Sequence, residues 1–279
     1  MVKRDGQTEP KKLLTIGGWD PCGAFGVPAD LKTFSALRVH GMGVMTVLTA
    51  QNSVGWYGAD FVSAEFVAKQ LDAVLGDYGA DGVKTGFLGR ADLIKTIAQK
   101  LKQYEMQNIV VDPVLINANG RPMFGPEVQE AYETELFPLA SAITPNRSEL
   151  NWLLHGESLP WELNDGALNR LLAWVSTIDG DPAVVVKGLP EPDGGLVDWM
   201  VWQGERVSHS HERVATRNVS GTGDSFSAAL TTWLARGERL PEAFKRASAG
   251  VARAIASSGD WQLGQGPGPI NHDEFRTPG

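Results

Sequence analysis

The stretch Asn218-Val219-Ser220-Gly221-Thr222-Gly223-Asp224-Ser225-Phe226 sets two glycines around a threonine, then an acid, then the start of a helical pattern. Phe226, Ala229, Leu230, Trp233 and Leu234 recur at the spacing of one helical face, and Gly237 stands where a C-terminal glycine is expected. A flexible turn therefore runs directly into a helix N-terminus. Unpaired backbone N–H groups gather there with the positive end of the helix dipole, and such a place holds anions, phosphate above all. Glycines let the backbone approach the anion closely, because no Cβ stands in the way. Asp224 is the odd member, since a carboxylate repels phosphate. It reads either as a helix cap or as the acid that takes a proton from an alcohol attacking phosphorus. The stretch alone leaves both open.

Outward from this turn, the chain alternates short apolar runs with helical patterns. Residues 13–16, 44–49, 109–111, 142–144 and 183–186 are short, mainly apolar runs of strand type, 82–86 is a further short strand, and most stop at glycine, proline or a polar residue. Between them lie helical faces. Val27, Leu31, Phe34 and Leu37 mark one, with Pro28 tolerated in its first turn. Phe66, Val67, Leu71, Val74, Leu75 and Tyr78 mark a second, and Leu93, Ile94, Ile97, Leu101 and Tyr104 a third. Buried strands alternating with helices predict an α/β fold with a mostly parallel central sheet and helices on both faces. After Gly194-Gly195 the texture changes, and 196–202 with 206–214 read as adjacent antiparallel strands. No repeat or linker divides the pattern. One domain over 13–279 is expected, after a polar, flexible tail at 1–12.

The chain has 279 residues, of which 42% are hydrophobic, enough for a sizeable core. Its net charge of −8 argues against nucleic-acid or anionic-membrane partners, though a phosphate site needs only local positive potential. No apolar run approaches the roughly 18 residues of a membrane span. The polar start lacks the apolar core of a signal peptide, and the single cysteine, Cys22, suits a reducing compartment, so a cytoplasmic location is expected.

In a parallel sheet, ligands sit at the C-terminal ends of the strands. The residues at those ends are Asp20, Gln51, Lys84, Asp112, Asn146 with Glu149, and Lys187. Each has a plain explanation alone: a turn opener for Asp112, a solvated first-turn acid for Glu149, a surface residue for Lys187. Their coincidence at one edge points to a site.

Several stretches together resemble the hydroxymethylpyrimidine and phosphomethylpyrimidine kinases. They are Ala29-Asp30-Leu31-Lys32-Thr33-Phe34-Ser35-Ala36-Leu37, Leu48-Thr49-Ala50-Gln51-Asn52, Gln70-Leu71-Asp72-Ala73-Val74, Val111-Asp112-Pro113-Val114, Ile143-Thr144-Pro145-Asn146 with Glu149, Val186-Lys187-Gly188, Gly221-Thr222-Gly223 and Gly264-Gln265-Gly266-Pro267-Gly268-Pro269. They are collinear and span nearly the whole chain. The resemblance implies a ribokinase-like fold and ATP-dependent phosphorylation of a pyrimidine alcohol in thiamine biosynthesis or salvage. Pyridoxal kinase, or a vitamer-binding protein without catalysis, are the alternatives. It implies that Asp224 accepts the substrate proton while the N–H groups of Gly221, Thr222 and Gly223 hold the transferring phosphoryl. Lys187, Asn146, Asn218 and Thr222 would contact ATP, and Asp112 with Glu149 would hold Mg²⁺. Gln51, Phe87 and Val114 would line the substrate pocket. Asp30 is a further candidate there, with a first-turn helix acid as its plain reading. The expected partners are ATP and a small pyrimidine or pyridine alcohol; a homodimer is kept open as the assembly.

This chain also departs from the family pattern. The pyrimidine kinases usually carry Cys where Asp224 stands and His where Ser220 stands; Gly-Thr-Gly-Asp is the ribokinase and pyridoxal kinase form. Trp19 and Phe25 put two large rings into a loop that the family keeps small. Those rings either close over the substrate, fill space that a phosphorylated substrate needs, or pack outward against neighbouring helices, and the second option predicts poor use of the monophosphate.

Overall fold

A computed structural model describes residues 9–117, 120–154 and 165–276. Nine strands form one sheet in the order β3-β2-β1-β4-β5-β6-β7-β8-β9. They are β1 Lys12–Trp19, β2 His40–Asn52, β3 Gly55–Phe61, β4 Gly82–Thr85, β5 Ile109–Val111, β6 Ala142–Ile143, β7 Ala183–Pro190, β8 Leu196–Trp202 and β9 Glu205–His211. The six from β2 to β7 in that order run parallel, while β3, β8 and β9 pair antiparallel at the two edges. The mostly parallel α/β architecture expected from the alternation is therefore present. Lys12 is already in β1, its N–H donating to Asp81 at 2.8 Å, Lys11 Nζ donates to the same acid, and 1–8 of the expected tail lie outside the described residues.

The helices are α1 Gly26–Ala36, α2 Ala64–Asp77, α3 Ala91–Gln103, α4 Pro126–Ala131, α5 Arg147–Leu153, α6 Asp165–Val175, α7 Thr222–Ala235 and α8 Leu240–Ser257. They cover both faces of the sheet. On one face Ile16, Val83, Val111, Ile143 and Val184 pack with side chains of α2, α3, α4 and α5. On the other, Val110, Ala142, Ala183 and Val185 pack with α7 and α8. This alternation along each strand, with both sides apolar, is why the strands read as unbroken hydrophobic runs. α7 lies in the deepest layer and is buried all round from Ser225 to Ala235, so its apolar face is wider than the spacing of Phe226, Ala229 and Trp233 suggested.

β3 has no counterpart in the sequence reading. It is an edge strand whose side chains are exposed or half-buried, including Trp56 and Tyr57, and so lacks the apolar run that marks the inner strands. The chain runs outward from β1 to β2 and β3, then returns to β4 on the other side of β1. The crevice between β1 and β4 is thus the point where strand order reverses, the place where such sheets bind ligands.

Candidate active site

The glycine turn sits over that crevice. Gly221 caps α7 with φ 78°, a left-handed conformation that glycine adopts without strain, and a Cβ there would run into the carbonyl oxygen of Ala24. Thr222 and Gly223 open the helix, and Asp224 is its third residue. Asp224 is therefore not the cap. Its Oδ1 instead accepts a hydrogen bond from Lys84 Nζ at 3.0 Å. The position of a Cβ on Gly223 lies 3.6 Å from Lys187 Nζ and 3.9 Å from Asp112 Oδ2, so the cradle, the lysine and the acid of β5 meet at one point.

Lys84, next to last in β4, is fully buried, as is Asp30 of α1. Its ammonium donates to Asp30 Oδ2 at 2.9 Å and Oδ1 at 3.1 Å, and Thr15 Oγ1 donates to the same carboxylate. Burial opposes the charge on Lys84, but Asp30, Asp224 and Asp112 more than offset it and raise its pKa, so it stays an ammonium. Burial pushes the Asp30 carboxyl up to about 7, opposed by Lys84. The bidentate contact favours the ionised pair. Asp30 thus stands behind Lys84 and away from the pocket, which corrects its expected substrate contact. It is also not a first-turn acid: it is the fifth residue of a helix whose first turn carries none.

The second cluster lies at the ends of β5, β6 and β7. Asp112 accepts from Thr144 Oγ1 at 3.2 Å and Ser227 Oγ at 3.3 Å. Lys187 Nζ donates to the Thr144 carbonyl at 2.9 Å, stands 4.0 Å from Asp112, and lies 5.3 Å from the centre of the Phe226 ring. Asn146 caps α5: its Oδ1 accepts the Glu149 N–H at 3.0 Å, and Glu149 Oε2 accepts the Asn146 N–H at 2.8 Å. Glu149 is buried, not solvated, and its other oxygen accepts from Leu115 N at 3.3 Å. Burial first, and the Asp112 charge second, push its carboxyl well above the usual range. A divalent cation would relieve the repulsion that Asp112 exerts on Glu149. Among the described residues, no group of three or more His, Cys, Asp or Glu could ligate a metal, so a cation here would share its shell with phosphate oxygens and water.

A cavity of 470 Å³ opens beside the turn, lined by Asp20, Phe25, Lys32, Gln51 and the 263–269 segment among others. Asp20 winds the entrance loop around its carboxylate, which accepts the N–H groups of Cys22, Ala24 and Phe25. Gln51 and Phe25 line the cavity. Phe87 and Val114 stand outside it. The Phe87 ring packs between Trp56, Phe61 and Phe124 at 5.6–6.2 Å, beneath the β2–β3 hairpin. Asn218 also has another task from the ATP contact expected of it. Its buried amide donates to the carbonyls of Ser258, Gly259 and Trp261 and accepts from Gly268 N–H, so it ties the glycine turn to the C-terminal segment.

A family model described as phosphomethylpyrimidine kinase matches residues 20–271. The chain belongs to the phosphomethylpyrimidine kinase family. Hydroxymethylpyrimidine/phosphomethylpyrimidine kinase of Salmonella typhimurium is 36% identical over 93% of this chain and 96% of its own length. The Rhizobium meliloti protein of the same name is 38% identical over 93% and 96%. Among solved structures, a phosphomethylpyrimidine kinase from Clostridium difficile aligns with TM-score 0.75 and 32% identity, covering 88% of this chain and 99% of that one. An ADP complex of Bacillus subtilis pyridoxal kinase aligns with TM-score 0.84 and 29% identity, covering 96% and 99%.

Three residues of this phosphomethylpyrimidine kinase family member were given no role by the sequence. Lys84 looked like one strand-end residue among six, and only the fold brings it between two acids. Lys32 lines the cavity, its Nζ donating to the Gly23 carbonyl at 2.6 Å. His272 sets Nε2 3.1 Å from Ser225 Oγ, beside Asp224 in sequence, and burial pushes its pKa down to about 4, so it is neutral at physiological pH. A histidine far along the chain with no motif around it carries no signal.

Proposed function

We propose that this chain transfers the terminal phosphoryl group of ATP to the hydroxymethyl oxygen of the aminopyrimidine precursor of thiamine, and then to the resulting monophosphate. The observation that carries this reading is Asp224, fixed by Lys84 and set at the mouth of the left-handed glycine turn. In the first step the alcohol oxygen attacks the γ-phosphorus, ADP leaves, and the alcohol proton passes to Asp224 Oδ2. Lys84 aims Asp224 through the contact to its Oδ1. The N–H groups of Gly221, Thr222 and Gly223 meet the charge on the phosphoryl oxygens, an arrangement worth about 3–4 kcal/mol per donor. Lys187 approaches the ATP phosphates. Asp112 and Glu149 would hold Mg²⁺, whose charge would offset that of the phosphates; Asn146 serves this site as the cap that fixes Glu149. It would work in the cytoplasm, as one domain that begins with β1.

Lys32 supports the second step. An aromatic wall alone would desolvate a phosphate without pairing it, and the bulk of Phe25 by itself favours the free alcohol. The ammonium in the same cavity supplies the missing partner. The similarity to pyridoxal kinases makes a pyridine alcohol the competing substrate. The test is ADP release with the pyrimidine alcohol, its monophosphate and pyridoxal, in wild type, Lys32→Ala and Phe25→Ala. The expected ranking puts both pyrimidines above pyridoxal, with Lys32→Ala lowering kcat/KM for the monophosphate about tenfold more than for the alcohol. A preference for pyridoxal refutes the substrate assignment, and an unchanged ratio in Lys32→Ala refutes the role of that lysine.

A further inference from the structure

β7 and β8 pair regularly up to Val186, which faces Trp199, and again from Leu189, which faces Val197. Lys187 and Gly188 therefore share a single partner, Asp198, and form a β-bulge. The bulge resets the alternation of the strand. Val184 and Val186 point into one core and Val185 into the other, and Leu189 rejoins the first. A regular strand would have put residue 189 on the opposite side. Gly188 has φ 66° and a Cβ there would meet open space, so the demand on this position is conformational, not steric.

Asp198 is an acid inside a strand and only 5% exposed, an expensive placement unless its oxygens are used. They are used by the bulge. Oδ1 accepts the Gly188 N–H at 2.7 Å, a donor that the irregular pairing would otherwise leave without a partner. Oδ2 accepts from Ser248 of α8, and His211 Nε2 of β9 lies 3.6 Å from Oδ1. Burial alone would raise this carboxyl, but His211, Ser248 and Gly188 more than offset it and hold it below the usual range. Three elements thus converge on one carboxylate whose shortest backbone contact is the residue after Lys187. That lysine in turn reaches Thr144 and stands next to Asp112 and the opening of α7.

We propose that Asp198 is a positioning residue for the nucleotide: by holding the Lys187–Gly188 bulge, it sets the Lys187 ammonium at the point where the ATP phosphates meet the glycine turn. This rests on the reading of Lys187 as a phosphate contact. Asp198 touches no reactant itself. The role fits an acid better than any apolar residue, because only an acceptor can satisfy the N–H of the bulge from the facing strand.

The experiment compares Lys187→Met, Asp198→Ala, Asp198→Asn and Gly188→Ala with wild type. The readouts are KM for ATP, KM for the pyrimidine alcohol, and ATP affinity by calorimetry without the second substrate. The expected result is an ATP KM and Kd raised about tenfold in Lys187→Met, Asp198→Ala and Gly188→Ala, with the KM for the alcohol within about twofold. Asp198→Asn, which keeps an acceptor oxygen for Gly188, should come back to within about threefold of wild type. An unchanged ATP affinity in Lys187→Met refutes the reading of that lysine, and the inference with it. A raised value there, with folded Asp198→Ala and Gly188→Ala at wild-type affinity, overturns the inference alone. An equal rise in both KM values marks Asp198 as a general structural residue and also overturns it. If Asp198→Ala does not fold, Gly188→Ala decides, since it strains the same bulge with no loss of burial.

Discussion

Asp224 shows what a single side chain's surroundings can decide. By type and position it suited a helix cap as well as an acid receiving a proton. The structure separates the two by one backbone angle: Gly221 takes the cap position in the left-handed region, which leaves Asp224 one turn further in and bound to Lys84. No local pattern reports which residue of Gly-Thr-Gly-Asp will hold a positive φ, so the sequence left this open. Asp224→Asn keeps the shape and the acceptor for Lys84 but cannot take a proton. Its circular dichroism and melting temperature are expected to match wild type while kcat falls about 10²–10⁴-fold. Turnover within about threefold of wild type would leave Asp224 with a merely structural task.

Among the elements, α5 carries the clearest link between local chemistry and the site. Asn146 and Glu149 stand at the spacing of a capping box, and the reciprocal bonds are formed. The capping places Glu149 inward, next to Asp112, where burial and like charge favour its protonated form over its ordinary value of 4.5. A carboxyl with a raised pKa stabilises the fold fully below that ordinary value and loses the contribution as pH rises through the raised one. Glu149→Gln keeps the cap, since Gln also accepts the Asn146 N–H, and removes the ionisation. Denaturant midpoints are therefore expected to favour the variant over wild type more strongly near about pH 9 than near about pH 5. The same variant should need more magnesium for half-maximal rate. A pH-independent difference would show that Glu149 does not titrate in this window. The Asn-x-x-Glu spacing was visible in the sequence, but its burial was not, because a seven-residue helix gives too short a pattern to tell its inner face from its outer one.

For the molecule as a whole, the sheet was legible because its inner strands are buried on both sides and read as plain apolar runs. The exposed hairpin strand β3 was not, for the opposite reason. Nor was the chain Asp30–Lys84–Asp224, whose members lie 54 and 140 residues apart and join only where α1, β4 and α7 meet. That junction joins α1, β4 and α7 on one face of the sheet, so its stability depends on elements far apart in the chain. Lys84→Met leaves Asp30 buried without a counter-ion and should cost about 3–5 kcal/mol in chemical denaturation. Asp30→Leu combined with Lys84→Met should recover most of that loss yet remain inactive, because Asp224 still lacks its partner. Failure of the double variant to regain stability would mean that the pair is not the source of the cost. The contact between the glycine turn and the C-terminal segment has a consequence of another kind, one of timing. Every strand of the sheet is complete by His211, but Ser220 N–H waits for the Gly268 carbonyl, Asn218 for the Gly268 N–H, and the hairpin residue Ser53 for Gly266. α7 and α8, which cover one face of that sheet, end at Ser257, so on a growing chain the whole scaffold is made before Gly268 can close the anion cradle. A nascent protein holds its architecture before it holds its chemistry.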